Sequence, residues 1–207
     1  MNSDGILFDL DGTLWDSVDE IVQTWNSVIV QYPEYGTPIS RRDMERLMGL
    51  QMNDIAARLF PNVGQDRQLW LMKQCMAAEN DYLYTHGARL YPGVRETLTA
   101  LRRHHRLFIV SNCQNGYIEG FLHAHRLEPL FDGFLCYEAT GHSKGENIKQ
   151  VVASYGLKSP VYVGDTQTDC EASAIAGLPF VFAAYGFGQA AQYAARIETF
   201  MELEKLF

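Results

Sequence analysis

Four short apolar runs, each bounded by turn-forming residues, constrain this chain more than any other feature: GILFD at 5–9, LFIVS at 107–111, VYVGD at 161–165 and FVFAA at 180–184. Runs of this length, without polar alternation, read as strands buried on both faces, the pattern of a parallel sheet. FDGFLC at 131–136 is a weaker fifth. Helical periodicity fills the gaps between them. Val94, Leu98 and Leu101 follow Pro92, and Ala172, Ile175 and Ala176 precede Gly177 and Pro179, so proline opens and glycine closes helices here. Strand alternating with helix predicts an α/β fold.

One segment breaks the alternation. From Ser17 to about Gly87 the pattern is helical, with no convincing strand. Ser17 with Glu20 fits a capping box ahead of Val18, Ile21, Val22, Trp25, Val28 and Ile29 at helical spacing. Ser40 is placed to cap a second helix with Met44, Leu47 and Met48 inward. DIAARLF ends a third at Pro61, and Leu69, Met72, Met76 and Leu83 suggest a long fourth. The chain thus divides into a discontinuous core, residues 1–15 and 88–207, and an inserted all-helical unit, residues 16–87. Neither an internal repeat nor a low-complexity tract occurs.

Charge and cysteine usage narrow the partners. A formal net charge of −8 disfavours a nucleic-acid face, which needs clustered Lys and Arg to displace counterions. No apolar run is long enough for a membrane span, and no basic-then-apolar leader opens the chain, so an unexported, cytoplasmic protein is expected. Cys75, Cys113, Cys136 and Cys170 are far apart without CxxC spacing, which argues against zinc and against a disulfide framework.

Ligands of open α/β sheets bind beyond the carboxyl ends of the strands, and Asp9, Ser111 and Asp165 each end one. Crowded carboxylates raise one another's pKa unless a cation neutralises them, and an oxygen-preferring ion such as Mg²⁺ does so. Asp9 and Asp165 are therefore candidate metal ligands. A carboxylate beside such an ion can also attack phosphorus and form an aspartyl-phosphate. The competing readings are bland. Asp-Gly marks a turn, Asp9 alone would serve as a helix cap, Asp16 and Asp19 read as acids near a helix start, and RRHHR at 102–106 reads as a solvated basic helix end. His142 reads as a surface-loop residue and Lys144, alone, as a solvated loop residue.

In order along the chain, DLDGT at 9–13, the Ser111–Asn112 pair, Lys144 in SKGEN and GDTQTD at 164–169 resemble the four motifs of the haloacid dehalogenase-like hydrolase superfamily, especially its phosphoglycolate phosphatase-like branch. The resemblance covers essentially the whole chain, and the ordered combination is far more specific than any single element. It implies a Rossmann-like parallel sheet flanked by helices, with a helical cap inserted after the first motif. It also implies Asp9 as nucleophile and Asp11 as general acid and base, one ionised and the other protonated. Ser111, Asn112 and Lys144 would bind the phosphoryl group. Mg²⁺ would be held by Asp9, the Asp11 carbonyl and Asp165, with Asp169 behind them, acting through water or against Lys144. The substrate would be a small phosphorylated metabolite.

Three other chemistries and one non-catalytic reading receive uneven support. A dehalogenase lacks the second acid of the first motif, and Asp11 is present. A phosphonate hydrolase needs an inward cap lysine, and Lys73 is the cap's only lysine. A sugar phosphomutase of the β-phosphoglucomutase type shares all four motifs and stays open, as does a non-catalytic binding protein on the same fold, which would normally have lost a motif residue. GFGQAA at 186–191 matches a dinucleotide fingerprint, but too few residues follow for a βαβ unit, so a loop beside the site is the better account. In the cap, Arg58 is the one cation singled out as a specificity residue.

Overall fold

A computed structural model describes all 207 residues. The elements run β1 (Gly5–Phe8), β2 (Trp15–Asp16), α1 (Val18–Ile29), α2 (Arg41–Glu45), α3 (Met52–Leu59), α4 (Gln65–His86), β3 (Arg89–Leu90), α5 (Val94–Leu101), β4 (Arg106–Ser111) and α6 (Tyr117–His125). They continue through β5 (Gly133–Cys136), α7 (Tyr137–Thr140), α8 (Lys144–Tyr155), β6 (Val161–Gly164), α9 (Gln167–Ala176), β7 (Phe180–Ala183), β8 (Ala195–Ile197) and α10 (Leu203–Leu206).

Six strands form one parallel sheet in the order β5-β4-β1-β6-β7-β8, so the expected α/β, Rossmann-like architecture is what the chain adopts. Alternate side chains of each strand feed opposite cores. Ile6 and Phe8 of β1 join Ile109, Val163 and Val181 in a cluster closed by α5, α6 and α10. Leu7 joins Phe108, Val110 and Tyr162 in a second, closed by α8 and α9. Being covered on both faces is why these strands carry unbroken apolar runs. β8 was not anticipated: it is three residues long, with an exposed arginine at its centre, and lies at the sheet edge.

Helices α1 to α4 enclose a third cluster, in which Trp25, Ile29, Met44, Ile55, Phe60 and Leu71 are nearly inaccessible to solvent. Ser40 caps α2 as expected, accepting from the Asp43 backbone N–H while Asp43 accepts from the Ser40 N–H. Leu69, part of the apolar spacing that marks α4, is exposed. The C-terminal part of α4 lies on α6, so closely that a Cβ at Gly120 would sit 3.4 Å from the Tyr84 nitrogen, and Leu83 belongs to the sheet's core.

The first helix does not start as its sequence suggests. Ser17 makes no cap bond: at φ −102° and ψ 2° it lacks the extended backbone of a cap residue, and its hydroxyl donates to Asp11 Oδ1 at 2.6 Å while accepting from Tyr117 OH at 2.9 Å. Asp16 takes over the helix start, accepting from the Val18 N–H at 3.3 Å. It is buried and also receives Arg41 Nη2 at 2.7 Å and Arg89 Nη2 at 2.8 Å, so it is far more than an acid near a helix end. β2 and β3 pair antiparallel at this point, Trp15 with Leu90 and Asp16 with Arg89, tying together the two strands of chain that enter and leave the helical segment. The 102–106 stretch is likewise engaged: Arg102 pairs with Asp132 at 3.1 Å, and Arg106 opens β4 with its guanidinium over Tyr155.

Removing the Asp16 carboxylate strips partners from a backbone N–H and two guanidinium groups at once. Asp16→Ala is expected to cost about 1–3 kcal/mol of stability, read as a lower urea midpoint at unchanged m-value. An unaltered midpoint would show that this junction contributes nothing.

Candidate active site

The carboxyl ends of β1, β4 and β6 bring the chemistry together. Asp9 follows β1, its own N–H bonded to the Val163 carbonyl at 2.8 Å. Ser111 is the last residue of β4, and Asp165 follows β6. Lys144 is no loop residue: it is the first residue of α8, behind Ser143 as cap, and its side chain is only 2% exposed. Its Nζ donates to Asp9 Oδ1 at 2.8 Å and to Asp169 Oδ1 at 2.7 Å.

This arrangement sets the charges. Burial opposes a charge on Lys144, but Asp169 and Asp9 outweigh it and hold the ammonium protonated, its pKa well above the usual lysine range. Burial, with Asp169 close by, pushes Asp9 up to about 7 despite Lys144. Asp165 is driven well above the ordinary carboxylate range by burial and by Asp169 and Asp9. One ammonium cannot support three ionised acids in so small a buried space, and a further cation would let Asp9 and Asp165 ionise together.

The donors fit a hard metal ion. Carboxylate oxygens of Asp9, Asp165 and Asp169 lie within 4.8 Å of one another, all buried. Asp165 Oδ2 accepts from the Phe187 N–H at 2.7 Å, while its Oδ1 is buried without a hydrogen-bond partner, the orphan expected of a ligand atom. Asp169 differs. Its Oδ1 is on Lys144 and its Oδ2 accepts from Thr166 Oγ1 at 2.6 Å and the Thr166 N–H at 3.0 Å, so both oxygens are committed to holding its neighbours. The backbone crowds this pocket. Gly12 has φ +80°, and a Cβ there would fall 2.2 Å from Asp165 Oδ2, so only glycine lets the chain turn against the acid. The GFGQAA loop closes the other side: a Cβ on Gly186 would meet Asp165 Cβ at 2.3 Å.

Asp11 stands in a different environment. Its Oδ1 accepts from Trp15 Nε1 at 2.8 Å, Ser17 Oγ at 2.6 Å and Tyr117 OH at 2.7 Å. Burial still raises its pKa above the ordinary value, against those three donors. With Oδ1 saturated, Oδ2 is the oxygen free to carry and exchange a proton.

Both aspartates open onto an internal chamber of about 40 Å³, enclosed between the strand ends and helices α1 to α4. Ser111 and Asn112 line it from the sheet side. Asn112 does not simply stand beside Ser111, since its Nδ2 donates to the Gly49 carbonyl of the α2–α3 loop at 2.9 Å, linking core to insert. Arg58 and Lys73 are exposed and line no part of the chamber. Trp15, Ser17, Tyr117, Thr166 and Phe187 were not anticipated from sequence. Thr166 carried a usable local signal, the Thr-x-x-Asp capping box it forms with Asp169.

Comparison with known proteins points the same way. The profile of the Haloacid dehalogenase-like hydrolase family matches residues 6–183. The phosphoglycolate phosphatase of Synechococcus elongatus is 33% identical over 187 residues, covering 88% of this chain and 84% of that protein. The phosphoglycolate phosphatase of Aliivibrio fischeri is 26% identical over 194 residues, with the same coverage. Among solved structures, a haloacid dehalogenase-like family hydrolase from Streptococcus pneumoniae shares the fold at a TM-score of 0.85 and 20% identity, over 99% of this chain and 98% of that one. CbbY from Rhodobacter sphaeroides, in complex with xylulose-(1,5)bisphosphate, shares it at 0.83 and 16%, over 98% and 96%.

Lys144→Met leaves Asp9 and Asp169 without their counter-charge and is expected to cost about 3–5 kcal/mol in chemical denaturation at pH 8. The loss should shrink at pH 5. An acid whose folded pKa lies above its unfolded value destabilises the fold when ionised, and protonation removes that cost. A loss equal at both pH values would contradict the assigned electrostatics.

Proposed function

The chain belongs to the haloacid dehalogenase-like hydrolase family, and on that premise we propose that this phosphoglycolate phosphatase-like enzyme is a Mg²⁺-dependent phosphatase of small phosphate monoesters, working through an aspartyl-phosphate on Asp9. The observation that carries the reading is the contrast between two carboxylates at one chamber: Asp9, paired with Lys144, and Asp11, held through one oxygen by three donors.

Asp9 Oδ2 is the attacking atom, since Oδ1 is held by Lys144. Its attack forms an oxygen–phosphorus bond while the bond to the leaving alcohol oxygen breaks, and Asp11 Oδ2 gives that oxygen its proton. Asp11, now ionised, takes a proton from water as the water oxygen attacks phosphorus. The Asp9–phosphorus bond then breaks, releasing inorganic phosphate and restoring both acids. Ser111 donates its hydroxyl to a phosphoryl oxygen and Lys144 offsets the developing charge; Asn112 positions the group from beside them. Asp9, Asp165 and the Asp11 carbonyl would hold Mg²⁺, which when bound screens the repulsion between carboxylate and phosphate. Asp169 acts through Lys144 and Thr166, as a positioning residue.

Residues 16–87 are proposed to act as a mobile cap. The enclosed chamber, at about 40 Å³, is far below the 300–1,000 Å³ usual for ligand sites, so admission of a substrate requires the helices to lift away. The breakable links include the Asn112–Gly49 bond and the bond from Asn80 Nδ2 to the Asn115 carbonyl. No helix is long and apolar enough to cross a membrane. The four free, buried cysteines suit a reducing compartment, and we place the enzyme in the cytoplasm.

Asp9→Asn is expected to keep the fold, judged by far-UV circular dichroism, and to lower kcat by roughly 10³-fold or more, with no phosphoryl group trapped on the protein. EDTA should abolish turnover and Mg²⁺ restore it. Phosphoryl transfer to a different residue in the wild type, or activity indifferent to chelation, would defeat the mechanism.

A further inference from the structure

The chamber beside Asp9 and Asp11 has an unusual balance of charge for an enzyme that acts on anionic metabolites. Its lining includes three acids, Asp9, Asp11 and Glu79, and no lysine, arginine or histidine. The walls supplied by α1 to α3 and the loop between α2 and α3 are apolar: Ile21, Trp25, Met44, Met48, Leu50 and Ile55. The cations of this segment lie elsewhere. Arg42, Arg46, Arg58, Arg67 and Lys73 are exposed, and Arg41 is engaged by Asp16, Asp19 and Glu45.

Glu79 is the one ionisable group the insert contributes to the chamber. It is 1% exposed, accepts from Trp25 Nε1 at 2.7 Å and has no cationic partner. Burial pushes it up to about 8, which keeps it neutral beside these apolar walls. Two further acceptors, Asn112 Oδ1 and Gln114 Oε1, are buried and lack any partner. The Gln114 amide is oriented by its neighbours, because its Nε2 donates to Asn80 Oδ1 at 3.1 Å while Asn80 Nδ2 donates to the Asn115 carbonyl. Buried acceptors without a protein partner call for a donor.

From these observations we propose that the organic half of the substrate is short and uncharged, an alcohol phosphate whose carbon atoms meet the methionine-rich wall and whose hydroxyl reaches Asn112 Oδ1 or Gln114 Oε1. A carboxylate or second phosphate entering the same space would give up its water to apolar side chains and find no lysine, arginine or histidine in the lining to pair with it. The enzyme therefore discriminates against phosphoglycolate itself and against bisphosphates. This rests on the phosphatase reading of the Asp9 site and goes beyond it in naming the substrate class.

A matched pair separates the two. 2-Phosphoglycolate and 2-hydroxyethyl phosphate have nearly the same size, and differ in carrying a carboxylate or a hydroxymethyl group, while acetyl phosphate reports on the core chemistry. With Mg²⁺ supplied, kcat/KM for 2-hydroxyethyl phosphate is expected to exceed that for 2-phosphoglycolate by about tenfold or more. Met48→Arg and Leu50→Arg, at half-buried loop positions, each place a cation at the chamber and should shift that ratio toward 2-phosphoglycolate by about tenfold. Turnover of acetyl phosphate together with equal or greater activity on 2-phosphoglycolate would overturn the substrate assignment and leave the phosphatase standing. A ratio unmoved in both folded arginine variants would overturn it as well. No turnover of any of the three compounds would instead defeat the phosphatase reading, and the substrate class with it.

Discussion

Lys144 is the constraint around which this molecule is organised. A single ammonium, out of reach of water, stands between Asp9 from the end of β1 and Asp169 from α9. Neither acid is tolerable in that position without it, and the lysine is intolerable without them. Elements remote in sequence must be in place together for the triad to be neutral enough to bury: β1, the start of α8 and the start of α9. The glycines that let the backbone close on Asp165, and the Thr166 cap that fixes Asp169, are parts of the same enclosure.

Asp11 shows how two carboxylates so close along the chain come to differ. Asp9 faces a cation; Asp11 faces neutral donors from an indole, an alcohol and a phenol. The phenol comes from α6 and the alcohol from the residue preceding α1, so the Asp11 carboxylate is oriented jointly by the core and by the root of the helical insert. Trp15, fully buried and edge-on to Tyr117 and Phe121, makes that orientation rigid.

The sheet was legible because its strands are covered on both faces and so appear as uninterrupted apolar runs between turns. Asp9, Ser111 and Asp165 were legible as strand-end residues for the same reason. Three kinds of feature were not. β8 and the β2–β3 pair are too short to have a period, and are stabilised by neighbours rather than by pattern. Ser17 carries a valid capping signal, but its hydroxyl is taken up by Asp11 and Tyr117, partners seen only in three dimensions. Tyr117 and Glu79 reach the site from helices whose local sequence has no reason to mark them, since a buried polar tip on an apolar helix face looks like any other interruption. Lys144 was readable in part: Ser-x-x-Glu at 143–146 is a helix start, and the structure has Ser143 Oγ accepting from the Glu146 N–H.

The pairing of Trp15 with Leu90 and Asp16 with Arg89 has a consequence for how such a molecule can change over generations. Directly opposed residues of an antiparallel pair lie about 4.5–5.5 Å apart, so the chain leaves the sheet domain and returns to it at nearly one point. The ends of everything inserted between them are already joined. Lengthening a loop whose ends meet costs only about 0.6 kcal/mol per doubling, so the helical segment can grow, shrink or be exchanged whole while Asp9, Lys144 and Asp165 keep their positions. The side chains at the strand ends and the helices that cover them are thereby free to diversify at different rates, so a chain built on this sheet can keep one constellation of acids while exchanging the walls around it.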